Sequence, residues 1–110
     1  MEQAVLKAIA DANPQVGPAL LGRLDDLRDL SRRNSGCGFF TEIAVRPGHT
    51  PIDCPVPLGQ NIHADIAGLE HGMGFVLFFD NGQPATLEGY SFSEDTNNID
   101  LHSIDFRMRF

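Results

Sequence analysis

Gly74-Phe75-Val76-Leu77-Phe78-Phe79-Asp80-Asn81-Gly82 reads as a strand running into a hairpin turn. Successive side chains of a strand point to opposite faces, so Phe75, Leu77 and Phe79 fall on one side and Val76 and Phe78 on the other. Both sides are apolar and ask for cover, which places this strand in the interior of a sheet. Asn81-Gly82 suits the positive φ angles of a two-residue hairpin, so an antiparallel partner should run from about Gln83 to Phe92. Pro84 is tolerable near the start of that partner, and Gly89 predicts a bulge or bend within it.

Working upstream, Ile62, Ala64 and Ile66 alternate with His63 and Asp65 as a second, shorter strand would. Residues 47–60 hold Pro47, Pro51, Pro55 and Pro57 and read as a surface loop. Before it, Phe39, Thr41, Ile43 and Val45 alternate with Phe40, Glu42, Ala44 and Arg46, so a strand begins at Gly38. Downstream, Ser93 to Asn98 form a polar turn. Ile104, Phe106, Met108 and Phe110 then alternate with Asp105, Arg107 and Arg109. Ile99 and Leu101 lie one register off, which predicts a bulge near His102 and Ser103.

The first third carries a different period. Val5, Leu6 and Ile9 recur at helical spacing over Glu2 to Ala12, and Asn13-Pro14 ends that helix. Pro18 suits the first turn of a second helix, along which Leu20, Leu24, Leu27 and Leu30 form a stripe. Arg32 and Arg33 suit a helix C-terminus and Asn34-Ser35-Gly36 a closing turn, so this helix should extend to about residue 34. The expected fold is α+β: a helical pair over 1–34 packed on one face of a four- or five-stranded antiparallel meander over 38–110, as a single domain of 1–110.

Hydrophobic residues make up 42% of the chain and charged residues 21%, with a formal net charge of -7 and a pI near 4.8. Such acidity repels phosphate backbones and anionic headgroups, which argues against nucleic acid and membrane surfaces as partners. The longest apolar run, Phe75 to Phe79, is far shorter than the ~20 residues a membrane helix needs. Met1 to Ala12 has neither the basic start nor the apolar run of a secretory signal, so a cytoplasmic location is expected. Cys37 and Cys54 have no metal or redox spacing and read as ordinary thiols.

Candidate chemistry is sparse. His63, Asp65, Glu70 and His71 have ligand types that suit zinc, but alternation on a strand makes the first two solvent-facing and the spacing matches no metal signature. Gly68, Gly72 and Gly74 imitate a phosphate loop, yet they lead into a strand and not into a helix N-terminus. No Gly-x-Ser-x-Gly elbow is present for a serine nucleophile, and Cys37 and Cys54 have no sequence-defined base. Glu42, Glu70 and Glu88 read as exposed strand or turn carboxylates. No catalytic, cofactor-binding or metal-ligating residue is assigned.

Leu69-Glu70-His71-Gly72-Met73-Gly74-Phe75, Phe78-Phe79-Asp80-Asn81-Gly82 and Leu87-Glu88-Gly89-Tyr90-Ser91-Phe92 together resemble a pattern found in small uncharacterised bacterial proteins, some of them similar to immunity proteins of bacterial toxin systems. The resemblance implies a compact, acidic, non-enzymatic protein-binding module and carries no catalytic residues. A small hydrolase or isomerase with a pocket between sheet and helices is the alternative. Asp25, Asp26 and Asp29 on the second helix, with Glu94 and Asp95, favour a basic protein partner. Two helices can cover only one face of the sheet; the loop 47–60 could fold over the other, but its apolar residues, chiefly Ile52, Val56 and Leu58, are few for a whole sheet surface, so a homodimer or partner site is expected there, with Val76 and Phe78 near its centre.

Overall fold

The computed structural model describes residues 1–110 apart from Asp25, Asp26, Arg46, Pro55 and Phe110, and only the backbone of residues 27–30. Its elements are α1 (Glu2–Ala12), α2 (Gly17–Leu21), β1 (Leu27–Asn34), β2 (Gly38–Val45), β3 (His63–Ile66), β4 (Met73–Asp80), β5 (Gln83–Ser91) and β6 (Phe106–Met108). The six strands form one sheet in the order β1-β2-β5-β4-β3-β6, and every neighbouring pair is antiparallel.

The inner face of the sheet is where alternation places its apolar side chains. Phe39, Thr41 and Ile43 of β2, Leu87 of β5, Met73, Phe75 and Leu77 of β4, and Ala64 and Ile66 of β3 are all buried there. Val5, Leu6 and Ile9 of α1, each fully buried, share one core with them. Burying each large apolar side chain contributes roughly 1.5–3 kcal/mol, so this layer dominates the stability. α2 adds Leu20 to the core and packs against α1 so closely that a Cβ on Gly17 would lie 2.4 Å from the Ala10 carbonyl oxygen.

β4 occupies an interior position, flanked by β5 and β3, as its two apolar faces require. The hairpin turn holds Asn81 at φ 52° and Gly82 at φ 77°, the left-handed pair that matches the twist of the flanking strands. β2 and β3 also follow the alternation read from the sequence, with Phe39, Thr41 and Ile43 buried on β2, and on β3 Ala64 and Ile66 buried and His63 and Asp65 half-buried.

Three expectations require correction. The second helix ends at Leu21, and residues 27–34 form β1 instead of a further helical stretch. As a strand, this segment pairs with β2 along Leu27↔Val45 to Asn34↔Phe39, and it brings the Arg32 guanidinium over the Phe39 ring and onto the Glu2 carboxylate. Tertiary pairing thereby overrides the helical leucine spacing. The sheet consequently has six strands, and only α1 lies along its inner face, while α2 is a short helix at the hairpin end. The order is a meander only through β3-β4-β5, because β2 joins β5 and β6 joins β3. The acidic cluster expected on a long second helix falls on Asp25, Asp26 and Asp29, whose side chains lie outside the described residues.

Local irregularities also differ. The bulge in the β4–β5 pair lies at Phe78/Phe79, where Pro84 opposes Phe79, and not at Gly89. Gly89 instead makes room for neighbours, since a Cβ there would lie 2.3 Å from the Phe39 ring and 2.7 Å from Met73 Sδ. The final strand is short: residues 101–103 are turn and bend instead of a bulged strand. The segment before β6 closes the other end of the core, with Leu101 buried and Thr96 N–H donating to Gly36 O at 2.9 Å.

The proline-rich loop rounds the hairpin end. Ile52 N–H donates to Gly82 O at 2.7 Å, and Leu58 then exchanges two backbone hydrogen bonds with Leu77 at 3.1 and 2.7 Å. Leu58 so occupies the stretch of β4 edge that four-residue β3 leaves unpaired. Its path follows the rim of the sheet, and Val56 projects into solvent at 61% exposure.

Candidate functional site

The face of the sheet opposite α1, here the outer face, is built by the other half of each alternation. β4 contributes Gly74, Val76 and Phe78; β5 contributes Thr86, Glu88 and Tyr90; β2 contributes Phe40 and Glu42; β1 contributes Arg33; β3 contributes His63 and Asp65; β6 contributes Arg107. No described helix packs on it. Val76 is half-buried and Phe78 is 38% exposed.

The aromatic content of this face comes from register. Gly74 lies opposite Tyr90, and the missing side chain lets the Tyr90 ring lie across its neighbour strand: a Cβ on Gly74 would sit 2.4 Å from Tyr90 Cζ. Phe92 meets Tyr90 edge-on with ring centroids 5.5 Å apart, and His63 lies 5.8 Å from Phe92. Phe92 remains 38% exposed. Further across, the Arg33 guanidinium covers the Phe40 ring at 5.8 Å from its centroid. The result is an apolar and aromatic strip crossing β2, β5, β4 and β3.

Charges border the strip and, at Glu88, interrupt it. Asp65 accepts from Arg109 Nε at 2.7 Å and pairs with Arg107 at 3.5 Å. The Arg109 hydrogen bond, reinforced by Arg107, holds the Asp65 carboxyl below its ordinary range. Glu88 interrupts the strip between its cross-strand neighbours Phe40 and Val76, and Glu42 stands next to Thr86, whose Oγ1 donates to it at 3.5 Å.

No protein-family model, curated protein or solved structure matches the chain. The chemistry must therefore be judged from its geometry alone.

The residues weighed for a metal are not brought together. His63 packs at a tilt against Phe92, Asp65 is held by arginines, and Glu70 and His71 lie in the turn before β4, where their backbone N–H groups donate to Glu94 at 2.9 and 3.1 Å. Those two donors pull the Glu94 carboxyl below its ordinary value. Among the described residues no three potential ligands form a metal-binding group. Glu42 and Glu88 share the outer face, whereas Glu70 is elsewhere. Gly68, Gly72 and Gly74 belong to a tight connection and a strand, so they form no phosphate cradle.

Clefts of about 560 and 590 Å³ lie side by side at the hairpin end, between the α1–α2 region and the 49–58 stretch of the loop. Arg23, 4% exposed, lines the first and acts as a staple: its Nε donates to Gln83 Oε1 at 2.8 Å, Nη1 to Ala19 O at 2.6 Å and Nη2 to Thr50 O. Burial lowers its pKa. Cys54 borders the second cleft with its thiol donating to Val56 O at 3.1 Å, a contact with a carbonyl and not with a base. Cys37 and Cys54 are both free thiols.

One polar cluster escaped the sequence reading altogether. Glu2, only 6% exposed, accepts from Arg32 Nε at 2.9 Å, Arg32 Nη2 at 2.6 Å and Thr41 Oγ1 at 2.8 Å. Burial raises the pKa of Glu2, but the hydrogen bonds from Arg32, Thr41 and its own backbone outweigh it and bring the carboxyl down to about 2. With its oxygens so engaged, Glu2 anchors α1 to β1 and β2. The aromatic strip was also missed as a unit: a two-residue hairpin by itself implies Gly74 opposite Gly89, and only the bulge at Phe78/Phe79 shifts the register by one to set Gly74 opposite Tyr90.

Proposed function

We propose that this chain is a small protein-binding module whose working surface is the outer face of the sheet. The observation that carries this reading is the aromatic and apolar strip of Phe40, Val76, Phe78, Tyr90 and Phe92, left without a covering layer by any described element. Exposed patches of this kind, rimmed by polar groups, mark interaction surfaces in soluble proteins. Aromatic anchors dominate the energetics of such interfaces. The net charge of -7 disfavours nucleic acid as the partner and favours protein. The resemblance of the β4–β5 hairpin segment to immunity-like proteins points the same way. Two free thiols suit a reducing compartment such as the cytoplasm.

The test is site-specific cross-linking in the native host, with a photoreactive phenylalanine analogue at Phe78 and, as control, at exposed Lys7 on α1. A polypeptide adduct formed from position 78 and not from position 7 is expected. Absence of an adduct at 78, or equal adducts at both positions, would refute the assignment of this face.

A further inference from the structure

We propose that the occupant of the outer face is a different protein that sets an arginine side chain, flanked by apolar residues, against Glu88. This inference rests on the binding-surface reading above and adds the chemistry of the partner.

The strand register fixes the place of Glu88. It projects from β5 with Phe40 of β2 on one side and Val76 of β4 on the other, and Thr86 and Tyr90 lie before and after it on the same face. β2 and β4 each have a further strand beyond them, so this carboxylate stands in the middle of the sheet and not at its margin. Glu88 is half-buried, yet among the described residues it has no ion pair or hydrogen bond. Water meets that need in the free chain. A partner that covers Phe40, Val76 and Phe78 expels the water, and an ionised carboxylate left there without a counterion is costly. The occupant must therefore bring the cation with it.

The face itself does not supply one. Asp65 engages both Arg107 and Arg109 on the β3–β6 side, and Arg33, two strands from Glu88, lies over the Phe40 ring without pairing with the carboxylate. Glu42 and Asp80, which alternation also turns outward on β2 and β4, add negative charge around the same apolar residues. The strip thus carries excess negative charge where it is most apolar. A second copy laid over its middle sets carboxylate against carboxylate, which disfavours a symmetric dimer.

Arginine suits the position better than lysine. A guanidinium pairs with a carboxylate through two parallel hydrogen bonds while its planar face packs on aromatic rings, and Phe40 and Tyr90 both adjoin Glu88. Arg33 on Phe40 is an instance of that ring contact within the chain. At ~4.8 Å per strand and ~3.3 Å per residue the face measures roughly 25 by 25 Å, an area that a protein surface fills and a small cation does not.

A library of random peptides displayed on phage and selected against the purified chain tests the inference. Peptides enriched on the wild type should share an arginine flanked by apolar residues. Selection against Glu88→Gln should lose the arginine preference, and selection against Glu88→Arg should replace it with an acidic residue; circular dichroism checks that both variants are folded. In calorimetric titration the tightest wild-type peptide should bind Glu88→Gln at least about tenfold more weakly. Changing the peptide's arginine to glutamine should cost as much on the wild type and little more on Glu88→Gln, as two halves of one contact require. An arginine preference that survives Glu88→Gln, or no enrichment on the wild type, would overturn the inference. So would a micromolar dimer in sedimentation velocity that Phe78→Ser dissociates, which makes the occupant a second copy. Enriched peptides that lack arginine and lose binding to Phe78→Ser would overturn the arginine contact and leave the binding-surface reading standing. Enriched peptides that lack arginine and bind Phe78→Ser as well as the wild type would overturn both.

Discussion

Glu2 sits at the N-terminal end of α1 with its carboxylate engaged by Arg32 and Thr41, 30 and 39 residues away. Its folded pKa of about 2, against an ordinary 4.5, is a statement about stability. Because the folded value is depressed, the stabilisation is complete above pH 4.5 and is lost as the pH falls towards 2. The shift corresponds to about 3 kcal/mol at neutral pH. Urea unfolding should show Glu2→Gln less stable by about 2–4 kcal/mol at pH 7, since Arg32 then keeps a half-buried charge without its counterion. At pH 3 the difference should shrink by more than half; a difference that does not change with pH would show that the ionised carboxylate is not the cause. Arg23 makes a related prediction with no pH dependence near neutrality. Arg23→Ala removes three hydrogen bonds that join α2, the hairpin and the loop, and should cost about 2–4 kcal/mol in thermal or urea unfolding. Neither role was legible in the sequence, because Glu2 and Arg23 find their partners only after distant segments meet.

Alternation with a period of two identified β2, β3, β4 and β5 and assigned most of their faces correctly, because that signal lies within four to nine consecutive residues. β1 is the instructive failure. Leu20, Leu24, Leu27 and Leu30 recur as a helix would have them, but Leu21 ends α2 and Leu27 begins a strand. Carbon chemical shifts should report extended backbone over residues 27–34; helical shifts there would contradict β1. The pairing of β1 satisfies backbone groups on one edge of β2, and it places Arg32 inside and Arg33 outside, an outcome that helical periodicity does not encode. Gly89 makes a sharper test of packing between elements. Gly89→Ala would press a methyl group into Phe39 and Met73 and should cost about 1–3 kcal/mol by overpacking, seen as a lower unfolding midpoint. An unchanged midpoint would mean that the core gives way easily there.

For the whole molecule, the uncovered outer face links architecture to behaviour. A partner that binds only the folded face stabilises the chain by mass action, so the unfolding temperature should rise with the concentration of an arginine-bearing peptide selected on the wild-type chain. Glu88→Gln should abolish most of that rise while leaving the melting of the free chain close to its wild-type value; an equal rise in both would argue against the contact with Glu88. The expectation of an uncovered face came directly from Phe75 to Phe79, whose apolar residues on both sides demanded two layers from a chain with one helical layer to supply. The sequence by itself determined the α+β class, the hairpin at Asn81-Gly82, the interior place of β4 and the inward and outward sets of most strands, since each depends on turn chemistry or a short-range period. Only the tertiary structure decided that residues 27–34 are a strand, that β2 lies beside β5, that the proline-rich loop follows the rim and that Tyr90, Phe92 and His63 gather over Gly74. Those features depend on which distant backbone edges and side chains meet, and that choice is settled by hydrogen-bond satisfaction and burial across the whole chain and not by any window of it.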